Sequence, residues 1–327
     1  MTIETIRACI GGTVTYEGSC KEVFRATVYA RECEGEELCF ISDEAEAKEA
    51  VRRGAGAIVY AEPAWEHLWG DITAIKVEDV KHAAFSLAGY VVSEEDASFE
   101  LLNEKQMTFL KMILKQKSNI AILPQDWKKA FTLVMESGKR LFAGTDEAML
   151  KALRKNKKVY DQKAPGHIVS ADSLFRTTFK IDKYIYQYKE MTFLHIDHLR
   201  SAVAFCKAYE LPYSIDKVTY TRHFRPIFLE GEPSVQEVMK NDKVVILSDN
   251  LEDILEAREY ASDIGHWMAK TIVMVPPKTK VEGIKYPTCY RSEEDILEGI
   301  EQLAYNYLFI YTQEEGLQHK IRSRFGL

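Results

Sequence analysis

No apolar run in this 327-residue sequence is longer than a strand: Val244 to Leu247 and Thr271 to Val275 are typical, against the roughly 20 residues that cross a bilayer. Membrane insertion is therefore not expected. Nor is there a block of Lys and Arg with interleaved aromatics, and the formal net charge is -7, so a nucleic-acid partner is not expected either. Cysteine is sparse and scattered. Cys9, Cys20, Cys33, Cys39, Cys206 and Cys289 form no CxxC pair and no metal-ligand spacing, which argues against a disulfide framework or a zinc module and for reduced thiols in a cytoplasmic protein. Met1 to Ile10 carries Glu4 and Arg7 and has no apolar core of signal-peptide length, so export is not expected. Internal repeats and low-complexity tracts are absent too.

What is present is enough to build cores and keep them dissolved: 46% hydrophobic and 28% charged residues. At roughly 150 residues per domain the length predicts two or three units. The first stretch alternates strand and helix signals. Arg25 to Tyr29 and Leu38 to Ile41 read as strands, Glu44 to Arg53 as a helix with a small-residue face, and Gly54-Ala55-Gly56 as a tight turn into the strand Ala57 to Tyr60. Ile72 to Val77 and a helix from Asp79 to Tyr90 continue the pattern, so parallel pairing is expected. Ser93 to Ser98, polar and acidic, reads as a linker.

Beyond it come a helix over Lys105 to Lys115, a strand over Asn119 to Leu123, a helix over Pro124 to Met135 and a strand over Arg140 to Ala143. Thr145 or Asp146 is placed to cap a helix from Ala148 to Lys155. Phe175 to Phe193 reads as a hairpin turning at Asp182-Lys183, followed by a helix over His198 to Tyr209. The last third alternates again: strands Val244 to Leu247, Thr271 to Val275 and Tyr307 to Tyr311, helices Asp253 to Ile264 and Ser292 to Ala304, and a terminal helix. That is the pattern of a small doubly wound domain.

The run Thr27 to Phe40, TVYARECEGEELCF, resembles the opening of the Mur ligases, where a strand and an Asp-Ser-Arg turn begin the UDP-substrate domain. Arg31 falls on the arginine of that turn. EAVRRGAGAIVYAE and ITAIKVEDVKHAAFSLAGYV are similar to the later helices and strands of that domain, RLFAGTDEAMLKAL to the end of the family's central domain, and NDKVVILSDNLEDILEAREY and YLFIYTQEEGLQHKI to its C-terminal domain. Asp146 sits at the Asp of a turn that the family places near adenine. The resemblance implies a three-unit α/β architecture: residues 1–96 like the UDP-substrate domain, 97–222 a shortened central domain, and 223–327 a doubly wound C-terminal domain.

The family's nucleotide chemistry is what the motifs do not reproduce. A Gly-rich loop normally surrounds the ATP phosphates with bare backbone amides, followed by Lys and Thr. Here that place reads Leu102-Asn103-Glu104-Lys105-Gln106-Met107-Thr108. Lys105 stands where the loop lysine belongs, but Glu104 replaces the preceding glycine, and close anions at an effective dielectric of about 20 repel by several kcal/mol. Ser137-Gly138-Lys139-Arg140 lacks the first glycine and the Ser or Thr. Between Lys105 and Arg140 there is room for only a helix, a strand and a helix, so the strands bearing the family's Mg²⁺ ligand, His and carbamoylated Lys are expected to be missing. Leu229-Glu230 replaces Gly-Arg, and Tyr311-Thr312-Gln313 replaces Lys-Gly-Ser.

The expectation is a degenerate, non-catalytic Mur-ligase-like protein that binds a UDP-linked cell-wall precursor or a peptidoglycan-synthesis protein, with no cofactor and no metal. The alternative is an ATP-dependent amide ligase, using Mg²⁺, with its nucleotide site rebuilt around Lys105, Asp146 and Asp249; a purely structural partner docking on a true ligase is the third reading. Candidate ligand-binding residues are Arg31, Lys105, Asp146 and Asp249. Arg31 offers a planar fork to a diphosphate or pairs with the acidic run Glu32 to Glu37. Asp249 ends a strand where α/β proteins place ligand groups, or caps the next helix. His195 and His198 flank Asp197 at metal-ligand spacing, but a helix start capped by Asp197 with exposed histidines is the favoured reading. Tyr184, Tyr186 and Tyr188 alternate as on one strand face, and Trp65, His67 and Trp69 read as a local cluster.

Overall fold

A computed structural model describes residues 1–61, 70–93, 96–116, 118–154, 158–171, 173–229, 243–264, 269–284, 287–314 and 316–327. The cluster of Trp65, His67 and Trp69 lies outside them, as do Lys155, Glu230 and part of the linker at 93–98. The chain forms two compact units, Met1–Glu104 with Lys117–Tyr160, and Lys105–Gln116 with Asp161–Leu327.

The first unit begins with α1 (Ile3–Ile10), β1 (Thr13–Tyr16), β2 (Ala26–Thr27), β3 (Leu38–Phe40), α2 (Glu44–Arg52), β4 (Ala57–Tyr60), β5 (Thr73–Lys76) and α3 (Val80–Ser93). The strands pair in the order β1-β5-β4-β3-β2, parallel except for β1. Asp43 starts α2 by accepting a hydrogen bond from the Glu46 amide at 2.8 Å, and Ala47 and Ala50 give it a thin buried face. Gly54, at φ +79°, reverses the chain at the far end, a conformation that costs glycine little. All four residues of β4 are buried, as a central parallel strand covered on both faces requires.

Next, β6 (Ser98–Leu101) leads into α4 (Glu104–Ile113), whose residues from Lys105 onward belong to the second unit. Returning to the first unit, β7 (Ala121–Ile122), α5 (Trp127–Glu136), β8 (Leu141–Gly144) and α6 (Glu147–Leu153) complete a parallel sheet ordered β6-β8-β7. Both sheets share one core. Phe40 meets Phe131 edge-on at 5.7 Å, and Phe99 stacks on Phe142 at 5.0 Å. Each fully buried phenyl contributes about 1.5–3 kcal/mol. α3 packs closely against α6 because Gly89 has no side chain: a Cβ there would sit 2.2 Å from the Leu153 carbonyl oxygen.

The second unit contains β9 (Gly166–Ala171), β10 (Thr177–Ile181) and β11 (Tyr184–Lys189) as an antiparallel sheet ordered β11-β10-β9. The expected hairpin is there, with Asp182 at φ +54° in its turn, but the tyrosines do not share one face. A register shift against Thr177 and Phe179, with Tyr188 at φ +51°, inserts an extra residue into β11. Tyr186 stacks on Phe179 at 5.4 Å, while Tyr184 and Tyr188 are exposed.

After α7 (Ile196–Ala208) come β12 (Arg225–Phe228), β13 (Val244–Ser248), α8 (Leu251–Ile264), β14 (Thr271–Val275), β15 (Thr288–Cys289), α9 (Glu293–Gln302), β16 (Tyr307–Tyr311) and α10 (Leu317–Phe325). Their sheet is ordered β12-β13-β16-β14-β15, parallel except for the edge strand β12. Along β13, Val244 and Ile246 join the core under α8, and Val245 and Leu247 join the core under α9 and α10. That alternation, with helices on both faces, is the expected doubly wound domain. Pro226, lacking an N–H, sits on the edge strand, where this costs least. Among the described residues, no helix is long and apolar enough to cross a membrane, and all six cysteines are free thiols.

Candidate functional site

Among the described residues, several well-shielded charged groups gather in the second unit around the start of α4. Lys105 donates to Asp253 Oδ1 at 2.5 Å, with the two side chains only 15% and 6% exposed. Asp253 comes from the first turn of α8, where Asn250 Oδ1 accepts its backbone N–H at 3.2 Å and the helix dipole favours a carboxylate. Its other oxygen meets His195 Nε2 at 2.9 Å. Gln106 Nε2 donates to Ser201 Oγ at 2.9 Å, tying α4 to α7 beside this pair.

A second histidine–carboxylate pair stands next to the first. His223 Nδ1 lies 2.6 Å from Asp249 Oδ1, and His223 Nε2 lies 3.2 Å from Thr108 Oγ1 on α4. An ionised carboxylate only accepts, so Nδ1 carries the proton toward Asp249, and in a neutral ring Nε2 then accepts from the Thr108 hydroxyl. Arg222 Nε approaches Asp249 Oδ2 at 3.6 Å. The His195 ring centroid is 6.2 Å from that of His198 and 6.4 Å from that of His223, with Phe109 and Phe224 each 6.3 Å away.

Burial dominates the proton affinities here. It lowers the His195 pKa against the opposing pull of Asp253. Burial, with the positive charge of Lys105 beside it, pushes His198 down to about 4. Burial alone would raise the Asp253 carboxyl, but the hydrogen bond from His195 and the ion pair with Lys105 outweigh it and hold it below the usual carboxylate range. The Asp253 carboxylate is therefore a buried negative charge neutralised by Lys105, with His195 and His198 biased toward the neutral form beside it. Among the described residues, no group of three His, Cys, Asp or Glu side chains is placed to hold a metal ion.

Lys105 and Asp249 thus belong to one cluster, while Arg31 and Asp146 lie in the first unit. Arg31 sits in a single 3-10 turn over Ala30–Glu32; its side chain is 76% exposed, 3.9 Å from Glu32 and above the Tyr29 ring. Asp146 caps α6, accepting from the Met149 amide at 2.9 Å, and pairs with Lys81 at 3.1 Å. Asn250, not Asp249, caps α8, which leaves Asp249 to His223. The reading of exposed histidines behind an Asp197 cap is corrected. His195 is 2% exposed at the start of α7, and Asp197 instead pairs with Lys163 and Arg200. Asp253, His223 and Thr108 escaped the sequence reading, because a first-turn acid, a lone histidine and a mid-helix threonine carry no local signal of convergence.

No family model and no curated protein matches the sequence. Solved structures do match the fold. One is UDP-N-acetylmuramoylalanyl-D-glutamyl-2,6-diaminopimelate--D-alanyl-D-alanyl ligase from Acinetobacter baumannii, at 9% identity over 98% of each chain with a TM-score of 0.56. Another is MurF ligase from Thermotoga maritima, solved in complex with ADP, at 8% identity over 92% of this chain and 96% of that one with a TM-score of 0.55. At these identities the likeness is one of fold, and nearly the whole chain has the fold of a Mur ligase.

Proposed function

We propose that this is a degenerate Mur-ligase-like protein that does not catalyse ligation and binds a UDP-linked cell-wall precursor or a protein of peptidoglycan synthesis. One observation carries the reading. The lysine at the phosphate-loop position is held at 2.5 Å by the buried Asp253, and the residue before it is Glu104. A triphosphate arriving there would have to break a shielded ion pair and lie beside a carboxylate, both of which cost several kcal/mol. The residues present do not fit that ligand, so we derive no phosphoryl step through it. Isothermal titration with UDP-MurNAc-peptides and with Mg-ATP tests the proposal. Precursor binding without ATP binding is expected, and tight Mg-ATP binding with phosphate release would overturn the non-catalytic part.

A second reading is an ATP-dependent amide ligase whose nucleotide site is rebuilt around Lys105 and Asp249. The observation that favours it is the concentration of buried ionisable groups beside Lys105, since shifted pKa values collect at functional sites. An ATPase activity abolished in Lys105→Ala but retained in a folded Arg31→Ala control would support it.

A further inference from the structure

We infer that a basic cleft in the second unit, separate from the cluster around Lys105, binds a small phosphorylated molecule with a flat apolar portion. The cleft has a volume of about 460 Å³ and is lined by Arg176, Arg225 and Arg322, with Glu190, Tyr220 and Phe228 completing its wall. That is within the roughly 300–1,000 Å³ typical of small-molecule sites. None of these residues serves the function proposed above.

Three elements bring the arginines together. Arg225 opens the edge strand β12, opposite Leu247 of β13. Arg322 lies on α10 one turn after Gln318, which also faces the cleft, and residues four apart share one side of a helix. Arg176 precedes β10, its backbone fixed by Ser173 Oγ, which accepts the amides of Phe175 at 3.1 Å and Arg176 at 3.2 Å. Among the described residues, none of the three guanidinium groups has a hydrogen-bond or ion-pair partner.

Three guanidiniums against the one carboxylate of Glu190 leave two positive charges in excess. A phosphate monoester, at about -1.5 to -2 near pH 7, matches that excess, whereas a single carboxylate does not. Guanidinium forks also fit phosphate oxygens in bidentate pairs. The apolar wall is held in place. Tyr220 donates its hydroxyl to the Phe175 carbonyl at 2.7 Å, and Phe228 packs edge-on against Phe175 at 4.9 Å. A flat group would lie against these rings while the phosphoryl group meets the arginines.

Phenyl phosphate carries both features and is the probe of choice, with inorganic phosphate and benzoate as comparators, titrated into the full chain by calorimetry. One-to-one binding of phenyl phosphate, tighter than either comparator, is expected. Arg322→Gln should weaken it about tenfold, as loss of a charged hydrogen bond does, and Glu190→Gln should tighten it by about twofold or more. Both positions are exposed, so both variants are expected to keep the wild-type circular dichroism and melting curve. No binding by the wild type, or equal binding by both variants, would overturn the site. Titration of a UDP-MurNAc-peptide into Arg322→Gln separates this inference from the proposed function: unchanged affinity is expected, and a parallel loss would make the cleft part of the precursor site.

Discussion

Replacing Lys105 with methionine tests whether the lysine is committed to Asp253, because the side chain keeps its length and loses only its charge. The wild-type pair is short and shielded, 2.5 Å with 15% and 6% of the side chains exposed. Removing one partner of a buried pair typically costs about 3–5 kcal/mol through the uncompensated charge left behind. Here His195 Nε2 remains 2.9 Å from the other oxygen of Asp253 and offsets part of that loss, so about 2–3 kcal/mol is expected. Urea unfolding followed by far-ultraviolet circular dichroism measures it. A double-mutant cycle with Asp253→Asn isolates the pair, with a coupling of at least about 1.5 kcal/mol expected. Removing the lysine charge also relieves one cause of the depressed His195 pKa, so the imidazole resonances of that ring should titrate at higher pH in Lys105→Met. If the variant unfolds within about 0.5 kcal/mol of wild type and the coupling vanishes, the ion pair is refuted. Lys105 would then be available to a triphosphate, and the non-catalytic reading would fall with it.

Acidification should weaken the fold already between pH 7 and 5. His198, at about 4 when folded, lies below its unfolded value near 6.5, so its contribution is whole above pH 6.5 and drains away as pH falls toward 4. At pH 5 linkage gives about 2 kcal/mol, reduced to about 1 kcal/mol because the ring is partly exposed to solvent. Asp253, whose folded pKa is also depressed, loses its contribution only below about pH 4, so the urea midpoint should fall between pH 7 and 5 in wild type and by less in His198→Phe, where the lowered pKa of His195 still contributes. Gly89→Ala places a Cβ 2.2 Å from the Leu153 carbonyl oxygen. Despite a gain of about 1 kcal/mol in helix propensity it should destabilise the first unit by about 1–3 kcal/mol, and a melting temperature at or above wild type would contradict the close α3–α6 approach. Ser292→Ala removes the side chain that accepts the Asp295 amide at 3.2 Å in the capping box of α9. A loss of about 1 kcal/mol in urea unfolding is expected, and none would mean that the cap is idle.

Much of the framework was legible because short-range rules govern it. Glycine after a small-faced helix, four apolar residues in Ala57 to Tyr60, and the short apolar run Val244 to Leu247 each specify a local state that nothing elsewhere in the chain overrides. Single residues decided the departures. One inserted residue near Tyr188 takes the tyrosine stripe off one face, and Asn250 takes the cap that Asp249 was equally placed to make. The histidine pair was misread because burial cannot be inferred from spacing: FLHIDHLR is as compatible with a solvated helix start as with one packed against Phe109 and Phe224.

By itself the sequence determined the α/β class, the order of elements and the doubly wound C-terminal fold, since all of these are written in neighbouring residues. Only the tertiary structure decided that Lys105, His195, His223, Asp249 and Asp253 share one shielded cluster, and that three arginines face one cleft without partners among the described residues. Both depend on which distant segments meet. The energy of a charge is set by the groups and the solvent around it, which no local pattern records.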